Sequence, residues 1–388
     1  MKKFYMKDNV CTPYKLILNR VNNFLIANGW HAVEEATDAD TIITGTCAAF
    51  ASLQQESVDM CEEHQQLDAE HVVFGCLPKV DPIKVKSFGA DRVVAASHWE
   101  RIERMVPDPV VRLEDVPESN SFRLQEEYRR YDPGKQFVLV ETGCASNCPF
   151  CPHKMGIGDL VSKKPELVLR QVQELTDQGA HTIVLTGNDT GSYGIDIGTT
   201  YPELLREVLR IAPSIHVTQV NPQWVYKYWD ELLILLKNPK IKDFQVPIQS
   251  ASDKVLRLME RGPVVKKLRP FFEDLRLARP DLLMRTDLIL GYPTATDDEE
   301  QESLDYAGEI FDEVAVHAFE VFQHARIAKM DIEFYSQEEV DRRLERGLGY
   351  LARFPDLLIH RGGQIYQTLI DIETPKEEMR GTMVEATV

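Results

Sequence analysis

Strand signals recur along this chain with helical patterns between them, and that alternation, unbroken by any low-complexity tract or short repeat, restricts it to the α/β class. In the first hundred residues, strands are expected at 4–10, 41–44, 71–74 and 92–95. Helical patterns run through Leu16, Leu18, Val21 and Leu25 and over 51–63. Residues 1–100 therefore read as a small open parallel-sheet domain. The next stretch, 101–134, is polar, carries Pro107, Pro109, Pro117 and Pro133, and reads as a linker. A longer series follows, with strands at 136–141, 182–186, 215–220, 243–248, 284–290 and 314–321. Six βα units over 135–330 predict a partial (β/α)6 TIM-like barrel, followed by a C-terminal helical extension over 331–388.

Charge limits the partners. With 44 Lys and Arg against 62 Asp and Glu, the net charge is -18, so a nonspecific grip on nucleic acid or anionic lipid has no global support. The start, Met1-Lys2-Lys3-Phe4-Tyr5-Met6-Lys7-Asp8, is too charged for a signal segment, and no apolar run approaches the ~20 residues of a membrane span. A cytoplasmic location with no membrane partner is expected. In that reducing compartment the seven cysteines read as ligands, reactive groups or buried fillers, not disulfides.

Three of the seven form the sharpest local signal. Cys144-Ala-Ser-Asn-Cys148-Pro-Phe-Cys151 directly follows the first barrel strand, where a βα loop projects from the catalytic face. Three thiolates in one loop bind three irons of a [4Fe-4S] cluster and leave the fourth open to S-adenosylmethionine. A closed zinc site would need a fourth ligand, and no paired histidines follow. The Cys-x3-Cys-x2-Cys spacing with Phe150 before the last cysteine resembles the radical S-adenosylmethionine superfamily. Thr186-Gly187-Asn188-Asp189, Gln249-Ser250 and Gly291-Tyr292-Pro293 fall at the expected carboxyl ends of later strands, where a barrel holds its ligand.

Cys11, Cys47 and Cys76 are far apart in sequence, yet each comes just after an expected parallel strand. The carboxyl ends of such strands gather at one sheet edge, so the three thiols can converge there on a second cluster. Cys61 lies on the apolar face of a helix and reads as a small core residue.

At this point the chain resembles the two-cluster radical S-adenosylmethionine methylthiotransferases, from about residue 10 to 323. Asp40-Thr-Ile-Ile-Thr-Gly-Thr-Cys47 and Val73-Phe-Gly-Cys76 look like that family's second and third cysteine motifs. Leu185-Thr-Gly-Asn-Asp-Thr190, Pro247-Ile-Gln-Ser-Ala-Ser-Asp253 and Thr286-Asp-Leu-Ile-Leu-Gly-Tyr-Pro293 are similar to three of its barrel motifs. The resemblance implies two [4Fe-4S] clusters: one on Cys144, Cys148 and Cys151 to generate the radical, one on Cys11, Cys47 and Cys76 to carry sulfur. It also implies an electron donor such as flavodoxin or ferredoxin. Phe150, Thr186, Gly187, Asn188, Asp189, Gln249, Ser250 and Asp287 are the candidate S-adenosylmethionine contacts, and Arg285, Lys154 or the bound cofactor are candidate partners for Asp287.

The departures lie on the substrate rim. The family's usual C-terminal β-barrel has no counterpart among residues after Met330, and Cys151 is followed by Pro-His-Lys-Met-Gly-Ile-Gly158 in place of the family's "IIPxxRG". With the acidity, this leads to the expectation of a methylthio insertion into a peptide or protein side chain. Two alternatives stand beside it: a tRNA methylthiotransferase acting on a modified adenosine, and a non-catalytic iron-sulfur electron-transfer protein.

Overall fold

The computed structural model describes residues 1–118 and 134–362. Two parallel sheets carry the molecule. The first has the order β2-β1-β3-β4-β5, from β1 (Lys3–Asp8), β2 (His31–Ala32), β3 (Thr41–Thr46), β4 (Glu70–Gly75) and β5 (Arg92–Ala95). Every residue of β3 is buried, because helices cover both faces of the central strand. The helix Thr12–Ala27 starts with Pro13 in its first turn, where the missing N–H costs nothing, and buries Leu16, Leu18, Val21 and Leu25. Cys61 is fully buried within the helix Ala51–His64, as its place on an apolar face predicts.

Residues 101–118, expected as part of a linker, carry short 3-10 turns. Ile102, Met105, Leu113 and Val116 are buried against the amino-terminal core. Arg20, on the first helix, holds this stretch by donating to the carbonyls of Leu113 and Glu114 at 3.0 and 2.7 Å. The remainder of the expected linker up to 133 lies outside the described residues.

The second sheet begins with β6 (Lys135–Leu139), and a small antiparallel pair, β7 (Glu141–Thr142) and β8 (Val161–Ser162), brackets the cysteine loop. Then come β9 (Thr182–Thr186), β10 (Ile215–Val217), β11 (Ile241–Gln245), β12 (Leu283–Leu290), β13 (Glu313–Ala318) and β14 (Leu358–Arg361), giving a parallel sheet of order β14-β13-β12-β11-β10-β9-β6. The expectation of six strands is corrected to seven, and with it the expectation of a purely helical C-terminal extension. The helix Gln337–Leu351 is present, but it feeds a strand that pairs with β13. Four residues with no continuous apolar run are too weak a signal to read before the pairing is known. The tail from 363 lies outside the described residues.

The edge strand β6 does not pair with β14, so the barrel is open, and the first sheet's domain packs beside that edge. Phe137 and Leu139 of β6, Val184 of β9 and Ile157 belong to the same hydrophobic cluster as Tyr14, Phe74 and Leu77. This continuous apolar contact turns the carboxyl edge of the first sheet toward the mouth of the second.

Candidate active site at the junction of the two sheets

Cys11, Cys47 and Cys76 follow β1, β3 and β4, which are immediate neighbours in the first sheet. Asp8 is opposite Gly45 and Thr46 opposite Gly75, so Cys47 and Cys76 leave the sheet at the same level and Cys11 one residue later. Adjacent strands lie about 4.8 Å apart, so the three backbones span on the order of 10 Å of sheet edge. That span suits a cluster in which each thiolate binds its own iron. It is too wide for a single ion with metal–sulfur bonds of about 2.3 Å. Accordingly, among the described residues no three His, Cys, Asp or Glu side chains converge on single-ion geometry.

Burial pushes the Cys11 thiol up to about 12, with Cys47 adding to the effect, and pushes Cys47 up to about 11. Cys76 is raised well above the ordinary thiol range by burial, then by Cys47 and Cys11. A negative charge on one thiol is unfavourable for the others. A bound iron core reverses that relation, since it takes thiolates and releases their protons. The donor set therefore fits an iron-sulfur group.

The second triad sits on the loop between β7 and β8. Gly143, at φ +77°, lets the chain turn hard against the carbonyl of Asp159, where any side chain would collide. Its amide donates to Asn188 Oδ1 at 3.1 Å, tying the loop to the end of β9. Lys154 Nζ reaches back to the Cys144 carbonyl at 2.6 Å, and the Ser146 amide points at Cys144 Sγ at 3.3 Å, the kind of contact that tunes cluster sulfurs. Burial, then Cys148, pushes Cys151 up to about 11, while Arg261 opposes the rise. All seven cysteines are free.

The two triads meet. A Cβ placed on Gly156 would sit 2.8 Å from Cys76 Sγ, so the short helix His153–Ile157 after the second triad packs its backbone directly on the third cysteine of the first. One cavity of about 290 Å³ lies across the junction, lined by Cys11 from one sheet and by Cys144, Cys148 and Cys151 from the other. Cys47 and Cys76, 2% and 4% exposed, stand behind it.

Of the expected cofactor contacts, Phe150, Thr186, Gly187, Asn188, Gln249 and Asp287 line the cavity. Two do not. Asp189 is buried behind the cysteine loop, where its Oδ2 accepts from Trp224 Nε1 at 2.9 Å and from Ser146 Oγ at 3.4 Å. Ser250 is corrected to a structural role: its Oγ is paired with Ser303 Oγ at 3.1 Å, bracing the loop before a helix. Of the partners expected for Asp287, the two protein side chains are corrected. Arg285 is held by Asp243 at 2.6 Å and Lys154 by the cysteine loop, so Asp287 instead accepts from Gln245 Nε2 at 3.1 Å and faces His317 Nε2 at 3.3 Å.

Sequence reading missed Gln219, His317, Glu320 and Phe50, all of them cavity-lining. Gln219 and Gln249 hold left-handed backbone at φ +57° and +65°, a strained state that non-glycine residues adopt where surrounding structure imposes it, commonly at ligand sites. No sequence signal marks such a φ. Beneath the loop, the Glu141 carboxylate is 2% exposed and its Oε1 accepts the Asp189 amide at 2.8 Å. Burial, then the Asp189 charge, raises its pKa to about 8.

Comparison with known proteins agrees with this geometry. Residues 138–307 match the model of the Radical SAM superfamily, and residues 4–95 match a family described as uncharacterized protein family UPF0004. Among solved structures, the radical S-adenosylmethionine methyltransferase TsrM from Kitasatospora setae superposes with a TM-score of 0.62 at 15% identity, over 84% of this chain and 77% of that one. The cobalamin-dependent radical enzyme OxsB superposes at 0.58 and 12% identity, over 97% and 62%. Fold and site thus define a radical S-adenosylmethionine protein.

Sequence relatives narrow the class. The threonylcarbamoyladenosine tRNA methylthiotransferase of Xenopus laevis is 26% identical over 90% of this chain, and the probable one of Methanocaldococcus jannaschii 27% over 87%. The two matched regions and these relatives together support the radical S-adenosylmethionine methylthiotransferase family for this chain, and with it S-adenosylmethionine and two [4Fe-4S] clusters as cofactors. It spans 65% of the length of the frog relative, 82% of the archaeal one and 50% of the mouse one. No helix among the described residues is long and apolar enough to cross a membrane.

Proposed function

We propose that this chain is a tRNA methylthiotransferase that converts a C–H bond of a modified adenosine into C–S–CH3. The observation that carries the reading is the shared cavity lined by Cys11 of the first triad and by all three cysteines of the second. When bound, the cluster on Cys144, Cys148 and Cys151 supplies the electron that cleaves S-adenosylmethionine, and the cluster on Cys11, Cys47 and Cys76 supplies sulfur. The protein's part is proximity: a carbon radical must meet sulfur before solvent quenches it. Thr186, Gly187 and Asn188, the last tied to the cysteine loop through Gly143, line the cavity and hold S-adenosylmethionine. Gln219, Gln249 and Asp287, which also line the cavity, offer the amide and carboxylate groups that read a base edge. The tRNA substrate is supported by the relatives named for it, which do not support the peptide substrate expected from acidity. Electrons come from a small external donor of the flavodoxin or ferredoxin kind.

Two measurements test this. Anaerobic reconstitution should give about eight irons per chain, falling to about four when Cys11, Cys47 and Cys76 are all replaced by Ala. Reduced enzyme given S-adenosylmethionine and undermodified tRNA should yield a nucleoside heavier by about 46 Da, the change from H to SCH3. A product found only on added peptides would reject the tRNA reading, and 5'-deoxyadenosine without any sulfur-bearing product would reject sulfur insertion.

A further inference from the structure

We propose that Glu320 and His317, at the end of β13, form a clamp that sets where the Cys47 loop stands over the barrel mouth. They act as positioning residues for the amino-terminal cluster, an inference that rests on the two-cluster reading above. The helix Ala51–His64 begins without help of its own: its N-cap Phe50 makes no side-chain cap and no acidic residue occupies its first turn. Its exposed amides and positive dipole end need an acceptor. The acceptor comes from the other sheet, because the Ala51 amide donates to Glu320 Oε2 at 2.7 Å across 269 positions of sequence.

A second contact stands beside the first. The Phe50 ring stacks on the His317 imidazole with centroids 5.6 Å apart and planes 8° from parallel. His317 is 7% exposed and faces Asp287 on the cavity floor, so the stack is anchored to the barrel. Cys47 lies only four residues before Ala51, and its own peptide is fixed on the other side: its amide donates to Asn9 Oδ1 and Ser57 Oγ, both at 2.9 Å. The segment from Cys47 to Ala51 is thus tied at one end to the first sheet and at the other to β13. The gap between the two thiol sets follows from these ties. A displacement of about 1 Å in such a gap costs on the order of a hundredfold in a proximity-limited step. A carboxylate at this rim also repels an anionic substrate, so its place there is accounted for by the amide it receives.

The test compares wild type with Glu320→Lys, Glu320→Gln and Phe50→Leu in reconstituted holoenzyme. The first readout is methylthio product per 5'-deoxyadenosine. The second is magnetic coupling between the two reduced clusters in electron paramagnetic resonance. The third, on cluster-free protein, is deuterium exchange at the Ala51 amide. The clamp predicts that Glu320→Lys lowers the product ratio about tenfold or more, weakens the coupling and speeds Ala51 exchange. Glu320→Gln keeps an acceptor and should retain at least about half of the wild-type ratio. Phe50→Leu, which leaves the amide contact in place, should weaken the coupling as well. Wild-type coupling and wild-type Ala51 exchange in Glu320→Lys would overturn the clamp. If wild type makes no methylthio product while coupling and exchange still respond to Glu320→Lys, the functional reading fails and the clamp stands.

Discussion

Replacing Glu141 by Gln should stabilise the cluster-free protein by an amount that grows with pH. The carboxyl is 2% exposed, one oxygen accepts the Asp189 amide, and Asp189 itself is buried close by. Its pKa is about 8 in the fold against an ordinary value of 4.5, with burial as the main cause and the Asp189 charge as a further one. For an acid whose folded value is raised, the folded state binds the proton more tightly than the unfolded chain. Its contribution is intact below about pH 4.5 and is lost as pH rises toward 8. At about 1.4 kcal/mol per unit, the wild type is weakened by roughly 3 kcal/mol at pH 7 and approaches roughly 5 kcal/mol above pH 8. Gln keeps an oxygen for the Asp189 amide and has no proton to lose. Urea unfolding of both cluster-free proteins between about pH 4 and about pH 9 reads the difference directly. Two stability curves that run parallel across that range would refute the argument, since the pH dependence is its whole content.

Other perturbations probe other parts. Thr44 Oγ1 is shared by His64 Nδ1 at 2.7 Å and His71 Nε2 at 2.9 Å inside the first sheet. Burial, then the His64 charge, lowers His71 to about 4, so stability should be lost as pH falls from 6.5 toward 4, by roughly 3 kcal/mol, and His71→Gln should flatten that acid limb in thermal melts. Gly156→Ala should force the helix after Cys151 away from Cys76. Overpacking of this kind costs about 1–3 kcal/mol, and the bound iron should drop toward the single-cluster value in an iron assay. Gln249→Gly should relieve the positive φ, raising the midpoint of chemical unfolding by about 1 kcal/mol of stability while methylthio product falls. A variant that gains stability and keeps full product formation would remove Gln249 from the site.

Contiguous features were legible in the chain itself. Cys144, Cys148 and Cys151 are close in sequence, so their loop is the same in any fold that leaves it at a strand end. The dispersed triad was legible for a different reason. Parallel strands joined by helices put all their carboxyl ends on one edge, so three cysteines each following a strand must share that edge once the strands are neighbours. Neighbourhood itself, β1 beside β3 beside β4, is a property of the sheet order.

What only the tertiary structure decided are relations between side chains brought together from distant strands. Gln249 and Ser250 are adjacent in sequence, yet one faces the cavity and the other braces a helix through Ser303, because the left-handed turn at Gln249 sets which way each points. Asp287 took Gln245 and His317 as partners where charge alone favoured Arg285, since the Arg285 guanidinium is turned to the Asp243 carboxylate on the neighbouring strand. The seventh strand and the Glu320 contact with Ala51 depend on pairings 45 and 269 residues apart. Periodicity records which face of an element is buried; it carries no record of what that face meets, which packing alone decides.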